Sequence, residues 1–389
     1  MTKRLNSTTK TITICSNTSW YLYNFRMGLI KALQEQGYNI ILIAPKDDYS
    51  NRLEELGCEH YHIDIDNKGT NPLEDIKLSY KFYKLFKSIN PDMLLIYTIK
   101  PNIYGGIVSK ILNIPTINVI AGLGTVFLNN NMSAKVARWL YKVSFSNNQV
   151  VFENQDDCSE FLDKNLVKKE QTVLISGSGI NTEAFKPKNR VKKSNNLVFL
   201  LIARLIKDKG VIEYIEAIKS IKDKYPNVKF KILGSYYFGN PSSISKEEVE
   251  NWVSNGIVEY LGYTDAVLEE IEKADCIVLP SYREGLSRVL LEASSMSKPI
   301  ITTNVTGCRD VVEDGHNGYL VPPKDSKSLA LAIEKMINLS SQERYSMGKK
   351  GRIKVIKEFD EKIVIKDYLN IINKKCKLKS IQHGSYTVG

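Results

Sequence analysis

Short apolar runs alternate with longer amphipathic stretches along most of this chain. In the first part, three strand-like runs each precede a stretch with helical periodicity: Thr11–Ser16 before Phe25–Glu35, Asn39–Ala44 before Ser50–Leu56, and Met93–Tyr97 before Ile103–Leu112. Such alternation is typical of a parallel sheet whose strands are joined by crossover helices. The pattern therefore predicts a doubly wound α/β domain in this part of the chain.

A polar, cationic stretch without apolar periodicity, residues 186–196, interrupts the alternation and is typical of an interdomain linker. The alternation then restarts, with strands at Leu197–Ala203, Lys229–Leu233, Val258–Leu261 and Cys276–Pro280 and helices at Gly210–Lys222, Lys246–Ser254, Ala266–Lys273 and Ser287–Ser295. We predict two Rossmann-like domains, 1–185 and 186–375, with the last helix able to pack back on the first. Because open α/β sheets bind ligands beyond the carboxyl ends of their strands, we expect the site in a central cleft that both domains face.

Charge, apolar runs and cysteine spacing limit which ligands and which cellular compartment we expect for this chain. The formal net charge is +11, with the excess in the second half, yet no aromatic-studded basic stripe accompanies it, which argues against nucleic acid. Anionic substrates or an anionic membrane surface are better candidates. The apolar runs are strand-sized and no secretory signal is evident, so we expect a cytoplasmic protein whose membrane contact is peripheral. The scattered cysteines indicate reduced, mostly buried thiols.

The densest candidate chemistry lies at residues 279–293. A buried strand ends in Pro280-Ser281, a glycine-containing turn follows, and a helix is predicted to begin near Ser287. We expect the backbone N–H groups of Gly285, Leu286 and Ser287 to point outward at this helix start, where they can bind a diphosphate. Glu284 in the turn and Glu292 in the helix can each accept hydrogen bonds from sugar hydroxyls.

This segment resembles the corresponding one of retaining glycosyltransferase family four, whose members have the GT-B fold. Further motifs in the family's order strengthen the resemblance: 203–210 resembles its diphosphate-binding segment, 177–181 its interdomain Gly-x-Gly-Val-Asp element, and 314–323 its C-terminal signature. The resemblance implies that Arg204 and Lys209 neutralise the leaving diphosphate, that Glu292 holds the ribose and that Glu284 holds the transferred sugar. Two preorganised cations can stabilise that charge without a metal.

The chain also departs from the family pattern. No histidine follows the third strand of the first half, where many relatives have one near the transferred sugar, and Lys100 stands in this segment instead. We assign Lys100 a positioning or charge role, and we add Tyr263 to the donor-binding residues. Asp310 occupies a position where the family usually has a glutamate.

A competing signal is the D-x-D motif Asp64-Ile65-Asp66, which binds metal in the other large glycosyltransferase fold. Alternation around Ile63 and Ile65 favours a half-buried strand, so we predict no metal site and no cofactor besides the sugar nucleotide. The absence of G-x-G-x-x-G after the first strand and of G-x-x-x-x-G-K-[ST] argues against a dinucleotide oxidoreductase and a P-loop enzyme.

Two lysine-bearing helical stretches, residues 76–87 and 135–142, are typical either of helices that lie on an anionic bilayer or of ordinary surface helices. Residues 21–27 resemble subfamily members that extend polyprenyl-diphosphate-linked glycans. We therefore predict a retaining, metal-independent transferase that moves a hexose or N-acetylhexosamine from a UDP-sugar to a lipid-linked glycan at the inner face of the cell membrane. The alternatives are a GT-B sugar-nucleotide epimerase, a soluble glucoside synthase and a non-catalytic protein that binds sugar nucleotides.

Overall fold

The computed structural model describes residues 9–66, 71–123, 132–188, 196–237, 239–240 and 242–384. The chain forms two compact units. The first consists of two segments, one that ends at Ser178 and one that begins at Lys362, and the second runs from Gly179 to Glu361. The predicted boundary after residue 185 lies a few residues later than this division. The reason is that Ile180 is fully buried in the core of the second unit, where its backbone pairs with that of Asp360.

The first unit is built on a seven-stranded sheet in the order β3-β2-β1-β4-β5-β6-β7, with every pair parallel. The strands are β1 Thr11–Cys15, β2 Asn39–Ala44, β3 Glu59–His62, β4 Met93–Tyr97, β5 Thr116–Ile120, β6 Gln149–Phe152 and β7 Thr172–Leu174. Its helices are α1 Ser19–Glu35, α2 Ser50–Glu55, α3 Pro72–Ile89, α4 Gly106–Ile111, α5 Met132–Phe145 and α6 Gln155–Asp163. A π-helical turn, Pro101–Gly105, precedes α4, where the sequence pattern predicted one continuous helix.

The second unit has a six-stranded parallel sheet in the order β10-β9-β8-β11-β12-β13. Its strands are β8 Val198–Ile202, β9 Lys229–Leu233, β10 Glu259–Tyr260, β11 Cys276–Leu279, β12 Ile300–Thr303 and β13 Gly318–Val321. Its helices are α7 Val211–Ile221, α8 Lys246–Ser254, α9 Val267–Lys273, α10 Arg288–Ser295, α11 Ser326–Asn338 and α12 Ser341–Glu358. Both sheets confirm the predicted doubly wound α/β class.

The central strands are buried on both faces, as expected where helices cover a parallel sheet. All five residues of β4 and of β5 are buried, and β-branched and leucine side chains predominate in them. Among the described side chains, Cys15, Cys58, Cys158, Cys276 and Cys308 are free and buried, as predicted, while the Cys376 side chain lies outside that set. No helix in the described part of the chain is long and apolar enough to cross a bilayer.

The last helix, α13 Glu361–Gly384, completes the core of the first unit. Val364, Tyr368 and Ile372 pack with residues of β1, β2 and β4. Tyr368 faces the buried Arg26 of α1, whose guanidinium lies 5.9 Å from the Tyr368 ring and 4.3 Å from the Tyr97 ring. The same guanidinium donates to Glu153, directly after β6, at 2.5 Å. A buried ion pair therefore joins α1 to the end of β6, and Arg26 contacts α13 through the Tyr368 ring.

Lys375, on the same helix, gives the stability of the protein a specific pH dependence. Its ammonium donates to the Thr116 carbonyl oxygen, and burial lowers its pKa from 10.5 to about 8. Below about pH 8 the lysine is protonated in both the folded and the unfolded state, so the full cost of burying a charge is present. Between about pH 8 and 10.5 the unfolded state binds more protons, so stability rises with pH.

We expect the Lys375→Met variant to unfold at a higher denaturant concentration than the wild type at neutral pH. The gain is at most about 3 kcal/mol, the equivalent of the pKa shift, and loss of the hydrogen bond to Thr116 reduces it. The difference should shrink as pH rises towards 10, when the wild-type lysine loses its proton. Chemical denaturation of both proteins across this range measures the effect, and a gain that does not change with pH would contradict the assignment to Lys375.

Candidate active site

The sheet of the second unit changes direction between β8 and β11, which are neighbours in space although β9 and β10 lie between them in sequence. The crossovers from these two strands run to opposite sides, which leaves a crevice beyond their carboxyl ends. Arg204 and Lys209 follow β8, and Glu284 follows β11. Three of the predicted site residues therefore flank the position where an open α/β sheet binds its ligand.

The side chain of Arg204 is exposed and packs against an aromatic ring. Its guanidinium carbon lies 4.6 Å from the centre of the Tyr237 ring, within the distance of a cation–π contact. The backbone around it is fixed too, because the Leu205 N–H donates to the Ser235 carbonyl oxygen beyond β9. The Tyr237 ring thus restricts the guanidinium, an effect that the sequence motif alone did not reveal.

Lys209 and Glu284 come together in one ion pair. The Lys209 ammonium donates to a Glu284 carboxylate oxygen at 2.5 Å, and the side chains are only 17% and 14% exposed. Lys209 ends a short 3₁₀ turn, and Gly210 follows with φ +70°, a conformation that L side chains rarely adopt. A Cβ at Gly210 would stand 2.0 Å from the Pro280 carbonyl oxygen, so the glycine lets the lysine turn pack on the end of β11.

The turn that carries Glu284 is supported by the loop after β12. The Glu284 N–H donates to the Thr306 carbonyl oxygen and the Ser287 N–H to the Gly307 carbonyl oxygen. Gly307 has φ +75°, and a Cβ there would lie 2.5 Å from the Gly285 carbonyl oxygen. Asp310, where the family usually has a glutamate, accepts the Gly307 N–H at 2.9 Å and so holds this supporting loop.

The prediction that Gly285, Leu286 and Ser287 all present outward N–H groups is wrong for Ser287. The Ser287 N–H donates to the Gly307 carbonyl oxygen and is not available to a ligand. Helix α10 begins one residue later, at Arg288, and Ser287 is its N-cap without a side-chain cap hydrogen bond. The N–H groups of the first helical turn, residues 288–290, are the ones that a helix leaves without an intrahelical acceptor. Gly285 and Leu286 lie half-buried in the turn before it.

Glu292 lies in the second turn of α10 and is buried. Arg288 donates its Nε–H to one carboxylate oxygen at 2.9 Å. Burial raises the pKa of Glu292 above its ordinary value, although the neighbouring Arg288 opposes the shift. Arg288 was not among the predicted site residues. It lies four residues before Glu292 on the same predicted helix, and this spacing could have indicated that the two side chains pair.

Two predicted residues lie apart from this group. Tyr263 follows β10, at the far edge of the sheet; its ring is 62% exposed and its hydroxyl donates to Asp265 at 2.6 Å. Lys100 belongs to the first unit, where its ammonium donates to Asp75 at 2.7 Å and the Tyr104 hydroxyl donates to the other Asp75 oxygen at 2.6 Å. Lys100 stands just beyond β4, which pairs with β1 at the corresponding change of direction in the first sheet.

The D-x-D segment lies beyond the end of β3 and is not part of a strand, contrary to the expectation of a half-buried strand. Asp64 accepts from the ring of His62 and from the ammonium of Lys81, both at 2.8 Å. Within the described residues, no group of three or more His, Cys, Asp or Glu side chains could hold a metal ion.

Both halves of the chain match known families. Residues 11–155 match the model for glycosyl transferase 4-like proteins, and residues 181–354 match the model for glycosyl transferases group 1. The chain is 29% identical over 373 residues to the N,N'-diacetylbacillosaminyl-diphospho-undecaprenol alpha-1,3-N-acetylgalactosaminyltransferase of Campylobacter jejuni, covering 92% of this chain and 96% of that one.

A second curated relative, the UDP-Gal:alpha-D-GlcNAc-diphosphoundecaprenol alpha-1,3-galactosyltransferase of Escherichia coli, is 24% identical over 289 residues, covering 69% of this chain and 74% of the other. Among solved structures, Anabaena Alr3699/HepE in complex with UDP-glucose superimposes with a TM-score of 0.78 at 19% identity, over 94% of this chain and 99% of that one. That likeness supports the predicted GT-B fold. The two family models account for the first and the second unit in turn, and the chain belongs to the glycosyltransferases, as a GT-B member of the 4-like and group 1 families.

Proposed function

We propose that the chain moves a hexose or N-acetylhexosamine from a UDP-sugar to a hydroxyl of a polyprenyl-diphosphate-linked glycan in bacterial glycan assembly. The observation that carries the donor half is the arrangement of Arg204, Lys209 and Glu284 beyond β8 and β11. The acceptor half is supported by the two relatives named above, both of which act on diphosphoundecaprenol-linked sugars.

The donor diphosphate would lie against the first turn of α10 with Arg204 and Lys209 beside it. An ammonium has three N–H donors, so Lys209 can bind a phosphate oxygen and still orient Glu284. The second oxygen of Glu284 is then available to accept a hydroxyl of the transferred sugar. Glu292, held through one oxygen by Arg288, would accept the ribose hydroxyls with the other.

The reaction breaks the bond between the anomeric carbon and the diphosphate oxygen. Negative charge develops on the leaving phosphate, and two fixed cations stabilise it in the transition state. We propose that the acceptor oxygen attacks the same face of the sugar while its proton passes to the leaving phosphate oxygen. Retention, metal independence and peripheral attachment to the inner face of the cell membrane are part of this proposal.

A direct test uses purified protein, a panel of UDP-sugars and a polyprenyl-diphosphate-linked sugar as acceptor. The preferred donor should raise the melting temperature, since a ligand that binds only the folded state stabilises it. Transfer should require a diphosphate-linked acceptor and persist in excess EDTA, and NMR of the product should show the donor's anomeric configuration. Loss of activity with EDTA that manganese restores would contradict metal independence, and an epimerised sugar nucleotide formed without acceptor would contradict transfer.

The lysine faces predicted to meet a membrane lie on α3 and α5. On α3, Lys77 pairs with Glu74 and Lys81 with Asp64, while Lys84 and Lys87 lie over tyrosine rings. Large apolar side chains are exposed on the same helices: Leu73, Ile76 and Tyr80 on α3, and Met132, Val136 and Trp139 on α5. We therefore propose that apolar insertion and charge attraction act together at this surface.

Changing Lys77, Lys81, Lys84 and Lys87 together to glutamate should weaken binding to anionic vesicles, because each cation contributes up to about 1 kcal/mol near such a surface. Vesicle flotation at several salt concentrations measures the effect, which salt should screen. The matched control changes four exposed lysines of the second unit, Lys246, Lys327, Lys349 and Lys350, to glutamate. Equal losses in both variants would mean that net charge, and not this surface, governs binding.

A further inference from the structure

The first unit contains a cavity of about 1000 Å³ over the carboxyl ends of β1, β4 and β5. Asn17 follows β1, Thr98 follows β4 and Ala121 follows β5, while α3 and α5 supply the side walls. This volume is at the upper end of the range for small-molecule sites. The residues that line it all belong to the first unit, and among the predicted site residues it includes only Lys100.

One end of the cavity is polar and has a strained backbone. Thr98 has φ +66°, which is a rare conformation for a β-branched residue and often marks a functional position. Its hydroxyl accepts the Asn17 N–H at 3.1 Å and so joins the ends of β1 and β4, where the first sheet changes direction. Lys100 lies beside it, and its ammonium has donors beyond the one directed at Asp75.

The remaining walls are mostly apolar. They are formed by Ile76, Ile103, Ile107, Val136, Ala137 and Leu140. The wall also contains the Asp75 carboxylate, which accepts hydrogen bonds from the Lys100 ammonium and from the Tyr104 hydroxyl. The cavity therefore combines a mostly apolar lining with a polar end that contains the Lys100–Asp75 ion pair.

The apolar lining continues onto the protein surface. Ile76, Met132 and Val136 line the cavity and are nevertheless 65%, 72% and 49% exposed. Tyr80 and Trp139, on the same two helices, extend the exposed apolar surface. Large apolar side chains exposed beside a cavity favour contact with an apolar partner. A chain-like hydrocarbon that enters the cavity could thus contact exposed apolar side chains of α3 and α5.

We propose that this cavity binds the isoprene units next to the diphosphate of the lipid-linked acceptor, with the diphosphate directed to the Thr98 and Lys100 end. The proposal rests on the function proposed above. The cavity volume admits only the first few isoprene units, and the rest of the chain stays in the bilayer. Most of the lining area is apolar, which favours a hydrocarbon over a nucleotide or a glycan as the occupant.

The experiment measures kcat/KM without membranes, using one acceptor glycan on methyl, geranyl, farnesyl and geranylgeranyl diphosphate, each kept below its micelle concentration. We expect kcat/KM to rise at least about tenfold for each isoprene unit until the cavity is full, because each unit buries several carbon groups. Calorimetry with sugar-free geranylgeranyl diphosphate should show binding with a negative heat-capacity change.

Ala137→Phe fills the cavity from α5 and should abolish both the dependence on chain length and the calorimetric binding, while transfer to the methyl diphosphate acceptor stays unchanged. Ala137→Leu should give intermediate effects if the phenylalanine variant is poorly folded. Ala184→Phe, at an exposed alanine of the second unit, is the matched control and should behave as the wild type.

The outcomes separate this proposal from the proposed function. Transfer that is independent of chain length in the wild type, or chain-length dependence that Ala137→Phe preserves, would overturn the cavity assignment and leave the transferase proposal standing. If the enzyme transfers sugar to none of these acceptors, calorimetry with geranylgeranyl diphosphate still tests the proposal. Binding that Ala137→Phe removes supports the cavity assignment, and absence of binding to the wild type overturns it. If Ala137→Phe weakens binding to vesicles that contain no lipid-linked acceptor, the cavity is occupied by an acyl chain of the bilayer. That result would also overturn the cavity assignment.

Discussion

Replacing Arg204 or Lys209 by alanine is expected to lower kcat by roughly 10²–10³, the scale for losing one preorganised partner of transition-state charge. The larger loss should come from Lys209→Ala, because this change also removes the cation that holds Glu284 at 2.5 Å. The KM for the UDP-sugar should change less than kcat, since the charge on the leaving phosphate is greatest in the transition state. Steady-state kinetics with the preferred donor measure both constants.

Lys207→Ala is the matched control, because Lys207 is an exposed lysine in the same 3₁₀ turn. It should retain nearly wild-type kcat. If Arg204→Ala and Lys209→Ala do so as well, the two cations do not stabilise the leaving group. If the control loses as much activity as Lys209→Ala, the turn and not the charge is responsible.

The largest effect on stability is expected from the buried ion pair of the first unit. Glu153→Gln keeps the shape of the side chain but leaves the Arg26 guanidinium, 2% exposed, without its carboxylate. Removing one partner of a buried pair costs about 3–5 kcal/mol because the remaining charge is uncompensated. Urea unfolding followed by fluorescence in a Trp252→Phe background reports this unit, since Trp20 and Trp139 both belong to it.

The control for this change is Glu160→Gln on α6, which removes the carboxylate of a surface pair with Lys164 and should cost about 1 kcal/mol or less. A double variant with Arg26→Met and Glu153→Leu should recover much of the loss, because apolar side chains of similar volume can replace a buried pair. A loss in Glu153→Gln no larger than that of the control would show that Arg26 is stabilised mainly by the surrounding tyrosine rings.

The alternation of apolar strands and amphipathic helices was sufficient to predict a doubly wound sheet in each half of the chain, because fully buried parallel strands produce continuous apolar runs. It did not identify every strand: β5, β12 and β13 were not among the predicted runs. It placed the boundary between the two units a few residues too late. Ile180 and Asp360 pair across a long stretch of sequence, and only the folded chain brings them together. The π-helical turn at Pro101–Gly105 was missed for a similar reason, since its apolar pattern resembles that of an α-helix.

At the candidate site, the sequence motifs identified the charged side chains but not the residues that position them. Gly210 and Gly307 act through backbone contacts with Pro280 and Gly285, which no side-chain pattern records. Tyr237 supports Arg204 from a different strand end. The N–H prediction for Ser287 failed because the loop after β12 supplies an acceptor, Gly307, that lies twenty residues away in sequence.

The return of the chain to the first unit sets an order for its folding during synthesis. Residues 179–361 leave the ribosome as one uninterrupted segment and can fold as soon as they emerge. The first unit is made earlier but must wait for Val364, Tyr368 and Ile372 before its core is closed. Until then the apolar side chains that α13 covers stay accessible to chaperones, so the unit synthesised first is the one completed last. A nascent chain that has emerged from the ribosome only as far as residue 361 would therefore carry a finished second unit attached to an unfinished first one.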